Sequence, residues 1–390
     1  MKICAIICEY NPFHNGHKYL IERAKAFSGC EKVLCIMSGN FTQRGEATVL
    51  PKFVRAEHAV RGGADCVIQL PVLFSVATAE VFARGAVSIL KSIPAVKCIA
   101  FGCEDDNAEK IIRAADVLLE GGENFTKALK SGLTGGESYK RSLAAALDSC
   151  GADGKLALSP NGTLAIEYAR AIKAAGADIE ILPVKRVGAG YHDEELKDGF
   201  SSASAIRANL NSDRLSGNVS PCVLQALKGT DAQHADEIYD CIAGYAVTRA
   251  DANTLAKIYG CSEGLEHKLK TAPPRAADII AAATGKRYTS ARIRRILTAN
   301  MLGLYSEAAE AAIRGGTYIK PLAVRSDAKD EIFAELAKAD LPVVIKKMSV
   351  KQLDGRPAAK ECYERDRTAD RVRAIIYGEP EEYEYTVKLI

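Results

Sequence analysis

Over the first half of the chain, short apolar runs alternate with longer stretches of helical spacing. Each apolar run is bounded by glycine, proline or polar residues, which is typical of a buried strand. The strands predicted in this way are Lys2–Cys8, Lys32–Met37, Cys66–Leu70, Cys98–Glu104 and Ile179–Arg186. The helices predicted between them include His17–Lys25, Lys52–Arg61, Ala79–Lys91 and a helix that opens at Ser159-Pro160 and runs to Ala175. This alternation predicts right-handed βαβ units around a parallel sheet.

The pattern changes in two later parts of the chain. Residues 106–150 have the pattern of short polar helices and are predicted to be an insertion over the edge of the sheet. Beyond about Ser220 the sequence is alanine-rich and helical, and only Leu322–Val324 and Leu341–Ile345 suggest strands of a small α/β tail. Since 390 residues are too many for one compact core, we predict two domains. Residues 1–219 form a Rossmann-like α/β domain with a parallel sheet, and residues 220–390 form a mainly helical domain.

Composition limits the classes of protein that this chain can represent. Hydrophobic residues make up 48% and charged residues 26%, as in a folded globular protein. The net charge of +3 neither requires nor excludes a nucleic-acid partner. The twelve cysteines lie mostly within apolar runs, without C-x-x-C or a cysteine–histidine cluster of zinc spacing. We therefore expect reduced thiols, no structural metal and a cytoplasmic protein without a membrane segment.

The first strand leads into the segment with the strongest chemical signal, Glu9–His17. Asn11-Pro12 marks a turn, and His14, Gly16 and His17 stand where the next helix is predicted to begin. A helix N-terminus offers free backbone N–H groups and the positive end of a dipole to an anion. Because two imidazoles can add further donors, we predict a phosphate site here, with a nucleotide as its ligand.

Further polar segments follow the carboxyl ends of the other predicted strands, where ligands bind in open α/β sheets. Gly102 ends one strand, Arg186 ends another, and Ser201–Arg207 supplies hydroxyl caps and an arginine in the first turn of a helix. Asn161 lies in the first turn of the helix that opens at Ser159. The loop Gly39–Glu46, which includes Arg44, is either a lid over this site or an ordered surface loop.

A basic run in the second half has five positive charges and no acidic residue. It consists of Lys286, Arg287, Arg292, Arg294 and Arg295, with Tyr288 among them. A more mixed run extends from Arg365 to Arg373. Charge runs of this kind usually form the solvated face of a helix. Next to a nucleotide-activating fold, an RNA-binding surface becomes the better interpretation of the first run.

With these segments in order, the chain resembles the tRNA(Met) cytidine acetate ligases, which belong to the HxGH nucleotidyltransferase superfamily. The matching stretches cover nearly the full length: Glu9–His17, Met37–Glu46, Phe82–Ala86, Phe101-Gly102, Ser159–Asn161, Lys185-Arg186, Gly188–Asp193, Ser202–Arg207 and Tyr288–Leu297. Two positions depart from the expected pattern. Gly162 replaces an asparagine, which could loosen a contact to the nucleotide, and Pro51 replaces an acidic residue.

The resemblance implies a two-step reaction on elongator tRNA(Met). Acetate attacks the α-phosphate of ATP to give acetyl-adenylate, and the wobble cytidine in the anticodon loop takes the acetyl group on N4. His14, His17 and Arg207 are the implied catalytic residues, and Mg²⁺ is expected to accompany ATP. The implied ATP-binding residues are Ile7, Glu9, Asn11, Pro12, Phe13, Asn15, Gly16, Leu20, Gly102, Asn161, Arg186, Ser202 and Ser204. The implied RNA-binding residues are the five of the basic run.

Several roles stay open at this point. Tyr10, Phe41, Tyr191 or Tyr288 could stack on the target base. His192-Asp193 is either a base for the N4 amine or a helix-capping pair. Two other functions also fit parts of the sequence: a small-molecule adenylyltransferase, which leaves residues 220–390 unexplained, and an RNA-binding protein with a decayed site, against which the intact His14, Gly16, His17 and Arg207 argue.

Overall fold

The computed structural model describes residues 1–187, 195–197, 199–381 and 387–390. The five strands predicted from the first half of the chain are confirmed, each within two residues of its predicted ends. The strands of the described chain are β1 (Ile3–Cys8), β2 (Lys32–Ser38), β3 (Cys66–Leu70), β4 (Val96–Cys103), β5 (Glu180–Lys185), β6 (Pro321–Val324) and β7 (Lys388–Leu389).

These strands form one sheet in the order β5-β4-β1-β2-β3-β6-β7. All neighbouring pairs among β1 to β5 are parallel. The chain adds β2 and β3 on one side of β1 and then crosses to place β4 and β5 on the other side. The strand order therefore reverses between β1 and β4, and in such sheets the ligand crevice lies at the carboxyl ends of these two strands.

Helices cover both faces of the sheet and form most of the second half. In the first half they are α1 (Asn15–Phe27), α2 (Lys52–Arg61), α3 (Val72–Ser75), α4 (Ala79–Lys91), α5 (Ala108–Glu120), α6 (Glu123–Thr134), α7 (Tyr139–Ser149), α8 (Pro160–Ala174) and α9 (Ala203–Ala208). In the second half they are α10 (Pro221–Leu227), α11 (Ala232–Arg249), α12 (Ala252–Ala256), α13 (Leu265–Thr271), α14 (Ala276–Ala283), α15 (Ser290–Leu302), α16 (Ser306–Gly315), α17 (Lys329–Leu336) and α18 (Pro357–Tyr377). Short 3₁₀ helices lie at Gly154–Leu158, Asp213–Gly217, Ser326–Ala328 and Lys347–Leu353.

The prediction of a separate α/β tail is wrong. β6 pairs antiparallel with β3, and β7 pairs with β6, so both strands extend the same sheet. The second predicted tail strand, Leu341–Ile345, is reduced to one bridge between Val343 and Ile319. The strand predicted at Leu322–Val324 is confirmed as β6, but the sequence pattern did not show its pairing, because its partner β3 precedes it by about 250 residues. The domain boundary after residue 219 stays a prediction, although the sheet uses strands from both sides of it.

α18 binds the second half of the chain to the first through buried polar side chains. Asp370 accepts hydrogen bonds from Lys52 Nζ at 2.6 Å and Asn40 Nδ2 at 2.9 Å. Asp366 accepts from the backbone N–H of Val72 at 2.7 Å. Arg373 donates from Nε to the carbonyl of Thr48 at 2.9 Å. The mixed run Arg365–Arg373 is thus largely a structural contact between two parts of the protein.

Candidate active site

A cleft of about 260 Å³ opens at the carboxyl ends of β1, β4 and β5. This is the crevice that the reversal of strand order predicts. Its walls include thirteen of the residues proposed for catalysis or ATP binding: Ile7, Glu9, Asn11, His14, Gly16, His17, Leu20, Gly102, Asn161, Arg186, Ser202, Ser204 and Arg207. Residues from the ends of three separate strands and from the helices α8 and α9 are therefore brought to one site.

His14 and His17 hold each other and the start of α1 in place. Nδ1 of His14 accepts a hydrogen bond from the backbone N–H of Gly16 at 3.1 Å, which makes His14 the N-cap of the helix. Nδ1 of His17 accepts from the backbone N–H of His14 at 3.3 Å. The two rings stack with their centroids 3.6 Å apart. Because both Nδ1 atoms are acceptors, the proton of each neutral ring lies on Nε2, which remains as a donor for a ligand.

The surroundings keep both imidazoles neutral. Burial in the cleft, together with the positive charges of Arg186 and Arg207, lowers the pKa of His14 to about 3. Burial also lowers the pKa of His17 well below its ordinary value, with additional effects from His14 and Arg186. Two neutral donors between two arginines favour binding of an anion, because the arginines supply the positive charge and the imidazoles supply directed N–H groups.

Arg207 extends from α9 across the cleft to the segment after β1. Its Nη1 donates to the carbonyl of Asn11 at 2.9 Å, and its Nη2 forms an ion pair with Glu46 at 2.9 Å. Ser202 caps α9 by accepting a hydrogen bond from the N–H of Ala205 at 3.0 Å. The guanidinium is therefore fixed beside the histidines, and Glu46 occupies one edge of it.

Asn11 adds an unsatisfied donor at the same end of the cleft. Its Oδ1 accepts from the backbone N–H of Val49 at 2.9 Å, while Nδ2 is buried without a hydrogen-bond partner among the described residues. A buried donor without a partner costs free energy. A phosphate oxygen in the cleft would satisfy it.

Glu9 and the loop Phe41–Ala47 close one side of the cleft. Glu9 Oε1 accepts from the backbone N–H of Gln43 at 2.6 Å, and burial raises the pKa of the Glu9 carboxyl. On its other side the loop contacts α15, where Thr298 Oγ1 donates to the carbonyl of Gly45 at 2.6 Å. The loop is thus ordered between the cleft and the second half of the chain.

At the other end of the cleft, Glu104 joins two of the proposed ATP-binding residues. Its Oε1 accepts from Asn161 Nδ2 at 2.6 Å and lies 3.8 Å from Arg186 Nε. Its Oε2 accepts from Ser159 Oγ at 2.9 Å. Glu104 was not among the predicted site residues, although it directly follows the end of β4, the kind of position from which Gly102 and Arg186 were predicted.

Gly162 has a steric explanation that the sequence did not provide. A Cβ at this position would lie 2.2 Å from the carbonyl oxygen of Leu156 and 2.8 Å from Ser159 Oγ. An asparagine there would force α8 away from the preceding 3₁₀ helix. The other departure, Pro51, is the residue before α2, and the buried partner of Lys52 is Asp370.

Three residues proposed to contact ATP do not line the cleft: Pro12, Phe13 and Asn15. Phe13 is buried in the core, against Gly62. Asn15 Nδ2 donates to the carbonyls of Gly199 and Gly217, at 3.0 Å each, and so connects α1 to the segments around α9. The loop Gly188–Asp193, with Tyr191, His192 and Asp193, lies outside the described residues.

The basic run separates into exposed and inward-facing side chains. Lys286 and Arg287 are exposed before α15. Arg292 donates from Nε to the carbonyl of Gly260 at 2.8 Å and lies over the ring of Tyr288. Arg295 is turned inward. Its burial lowers its pKa to about 10, and its Nε has no partner among the described residues.

The aromatic residues considered for base stacking are not accessible where they are described. Tyr10 and Phe41 are fully buried, and Tyr288 is only 8% exposed. Helix periodicity and composition did not show this, because the burial of each ring depends on segments distant in the sequence. Of the four candidates for stacking on the target base, the three that are described therefore present no exposed ring face in this structure.

Among the described residues, no group of three or more histidine, cysteine or acidic side chains is arranged to hold a metal ion. Within the described part of the chain, every helix is too short or too polar to cross a bilayer. The expected cytoplasmic location stays a prediction.

Comparison with known proteins supports the interpretation of the cleft. A family model described as HIGH Nucleotidyl Transferase matches residues 1–387. The tRNA(Met) cytidine acetate ligase of Caldanaerobacter subterraneus subsp. tengcongensis is 33% identical, over 97% of this chain and 96% of that protein. The enzyme of the same name from Acetivibrio thermocellus is 31% identical over the same shares.

Solved structures agree over the whole length. Thermotoga maritima TmcAL in its apo form matches with a TM-score of 0.89 at 27% identity, and all of both chains is covered. The same protein bound with alpha-thio ATP matches with a TM-score of 0.87 at 26% identity, also over all of both chains. The shared fold, the HxGH segment at the carboxyl end of β1 and the similarity along the full sequence place this chain in the tRNA(Met) cytidine acetate ligase family of the HIGH nucleotidyl transferases.

Proposed function

We propose that this chain activates acetate with ATP and transfers the acetyl group to N4 of the wobble cytidine of elongator tRNA(Met), which gives N4-acetylcytidine. The names of its full-length relatives support this assignment. The structural observation that carries it is the stacked pair His14 and His17, which presents two neutral N–H donors between Arg186 and Arg207. Such a site suits the transfer of a nucleotidyl group, in which negative charge increases on phosphate oxygens.

In the first step, an acetate oxygen attacks the α-phosphorus of ATP and the bond to the β-phosphate oxygen breaks. The products are acetyl-adenylate and pyrophosphate. Nε2 of His14 and of His17 donates to the α-phosphate oxygens, and Arg207 with the hydroxyls of Ser202 and Ser204 holds the departing phosphates. The protein needs no covalent nucleophile for this step, because positioning and charge stabilisation lower the barrier.

Arg207 must change partners for this role. In the structure its Nη2 is paired with Glu46, and the triphosphate competes for the same guanidinium edge. Arginine forms two parallel hydrogen bonds with phosphate as readily as with carboxylate. Binding of ATP is therefore expected to draw Arg207 from Glu46.

In the second step, N4 of cytidine attacks the acetyl carbon, the bond from that carbon to the phosphate oxygen breaks, and AMP leaves. A cytidine in an anticodon loop is unpaired and can enter the cleft at low cost. The exposed Lys286 and Arg287, with Arg294 on the partly exposed side of α15, are the proposed contacts for RNA phosphates. Arg292 and Arg295 support α15 and act on RNA only indirectly.

Mg²⁺ is a further proposal. The described cleft has two carboxylates, Glu9 and Glu46, and each already has a hydrogen-bond or ion-pair partner. This donor set fits a cation held chiefly by phosphate oxygens, as is usual for Mg²⁺ with nucleotides. When bound, the ion would neutralise part of the charge of the leaving pyrophosphate.

Acetate-dependent exchange between labelled pyrophosphate and ATP tests the first step without RNA. The wild-type chain should catalyse it, and His17→Ala should reduce the rate about a hundredfold, because one donor to the transition state is lost. His267→Ala, which changes an exposed histidine, is the matched control and should exchange at the wild-type rate. Exchange that requires no acetate, or an unaffected His17→Ala variant, would contradict the assignment.

Mass spectrometry of tRNA treated with the protein, ATP and acetate tests the second step. A mass increase of one acetyl group on the wobble cytidine is expected. Acetate-dependent exchange without modified tRNA would support acetate activation and contradict the proposed transfer to cytidine.

A further inference from the structure

Glu104 is a carboxylate beside the cleft for which the two-step reaction provides no role. It follows β4 directly, and both of its oxygens are engaged by α8: Oε2 accepts from Ser159 Oγ and Oε1 accepts from Asn161 Nδ2. Asn161 itself lines the cleft, whereas Glu104 lies behind it. Any effect of Glu104 on a bound nucleotide therefore passes through the cleft residues that it contacts, Asn161 by a hydrogen bond and Arg186 by an ion pair at 3.8 Å.

The partner fixes which way the amide of Asn161 faces. An ionised carboxylate only accepts hydrogen bonds, so it binds the NH₂ group of Asn161 and would repel its oxygen. With Nδ2 held 2.6 Å from Glu104, Oδ1 is an acceptor available to a ligand. Without Glu104 the amide could rotate and present either end.

The position of Asn161 along the cleft indicates what this acceptor meets. The histidines follow β1, and Arg207 and the serines belong to α9. Asn161 lines the cleft on the side of β4 and β5, together with Gly102 and Arg186. The apolar rings of Phe101 and Tyr168 line the cleft nearby, with their centroids 5.4 Å apart. An apolar wall with one directed polar group is the usual environment of a nucleobase.

We infer that Glu104 determines nucleobase specificity by holding Asn161 with its oxygen toward the base, so that the site selects a purine with an amino group at C6. An exocyclic amine donates to Oδ1, whereas a keto oxygen at the same position faces another acceptor. Glu104 is thus a positioning residue that acts through Asn161. This inference rests on the proposed binding of ATP in the cleft.

ITP is the appropriate probe, because it carries a keto oxygen in place of the amino group and keeps the same ribose and phosphates. Dissociation constants for ATP and ITP are measured on the wild-type chain, Glu104→Ala and Glu104→Gln. The wild-type chain should bind ATP more tightly than ITP. Glu104→Ala should reduce this preference, expressed as the ATP/ITP ratio of affinities, about tenfold. Glu104→Gln keeps an acceptor oxygen for Asn161 and should retain most of the ratio.

Asp105→Asn is the matched control. Asp105 is the neighbouring carboxylate and pairs with Lys110 at 2.7 Å, away from Asn161. The Asp105→Asn substitution removes one negative charge from the same segment and should leave the ATP/ITP ratio of affinities unchanged. A lower melting temperature for Glu104→Ala would reveal loss of the α8 contact, but a change in stability alone lowers both affinities and leaves their ratio intact.

2′-Deoxy-ATP distinguishes this inference from a direct contact with ribose. If Glu104 accepted a ribose hydroxyl, Glu104→Ala would remove the preference for ATP over 2′-deoxy-ATP and leave the ATP/ITP ratio unchanged, which would overturn the inference. Binding is measured without acetate or tRNA. A chain that binds ATP selectively but catalyses no acetate-dependent exchange would contradict the proposed function and not this inference.

Discussion

His14 and His17 serve as a helix cap and as donors to a ligand through different nitrogens of the same rings. Each Nδ1 accepts a backbone N–H at the start of α1, so the helix fixes the orientation of both rings. Nε2 is then left for the ligand. Because the rings are already oriented before a nucleotide binds, little reorganisation is needed during the reaction.

Because the pKa of His14 is lowered in the folded chain, the free energy of unfolding depends on pH. Its pKa is about 3 in the folded chain and about 6.5 in an unfolded chain. Between these values the unfolded state binds a proton that the folded state does not bind, so the free energy of unfolding falls as the pH falls below about 6.5. Above that pH both states are neutral, and the effect vanishes.

Replacement of His14 by asparagine should therefore flatten the pH dependence of stability. Asparagine retains a capping oxygen near the position of Nδ1 but has no titrating group. With the full pKa shift, the free energy of unfolding of the wild-type chain would fall by about 2 kcal/mol between pH 7 and pH 5. Solvent access through the cleft reduces it to about 1 kcal/mol. Urea unfolding of both proteins at the two pH values measures the difference, and equal slopes would show that His14 protonates freely in the fold.

Residues next to a strand end or a helix start were the ones that the sequence could identify. His14, Gly16, Gly102 and Arg207 lie in such positions, and the structure brings all of them to the cleft. The inward turn of Arg295 could not be predicted in this way. Its environment is created by Gly45, which precedes it by 250 residues and packs against its backbone.

At the scale of elements, the loop Phe41–Ala47 connects α15 to the phosphate end of the cleft. On the cleft side, Gln43 bonds to Glu9 and Glu46 pairs with Arg207. On the helix side, Gly45 is bonded to Thr298 and has a φ of +79°. The sequence left open whether this loop is a lid or an ordered surface loop, and the structure shows an ordered loop with contacts on both sides.

Gly45→Ala tests this connection. A Cβ at residue 45 would lie 2.8 Å from Cα of Arg295, so the loop must move away from α15 and carry Glu46 with it. We expect pyrophosphate exchange to fall about tenfold or more, because the displaced loop loses the Gln43 contact to Glu9 and no longer closes the cleft beside the phosphates. Gly29→Ala is the matched control, since Gly29 also has a positive φ of +64° but no neighbouring atom within 4 Å of the added Cβ.

Both variants should lose about 1 to 2 kcal/mol of stability from left-handed backbone strain, which thermal or urea unfolding measures. Only Gly45→Ala should also lose activity. An equal loss of exchange in the two variants would attribute the effect to general destabilisation and not to the loop.

The elements that could be predicted are those whose signal is local. β1 to β5 each consist of five to eight residues with a clear apolar run, and the helix between two strands supports the assignment of both. β6 and β7 have only four and two residues. The strand β6 was predicted at Leu322–Val324, but its pairing with β3 and the addition of β7 beside it depend on contacts distant in the sequence, which no short window contains.

On the scale of the whole molecule, the two halves of the chain share one sheet and one buried polar network. Lys52 is fully buried with its ammonium group on Asp370, and removal of one partner of such a pair leaves an uncompensated charge. The backbone N–H of Val72 donates to Asp366, and the outer edge of β3 pairs with β6, so both also have partners in the second half. The fold of the first half therefore depends on residues of the second half.

This arrangement predicts that residues 1–219 do not form a stable fold alone. Without α18 and β6, the fragment exposes the apolar surface that they cover and the hydrogen-bonding edge of β3. It should bind a hydrophobic dye and unfold in urea without a sharp transition, as expanded states do. The full chain should show one cooperative transition. Addition of a 220–390 fragment should restore cooperativity if the polar contacts of α18 drive association. A sharp transition of the 1–219 fragment alone would instead establish it as an independent domain, because the sheet would then be stable without β6 and β7.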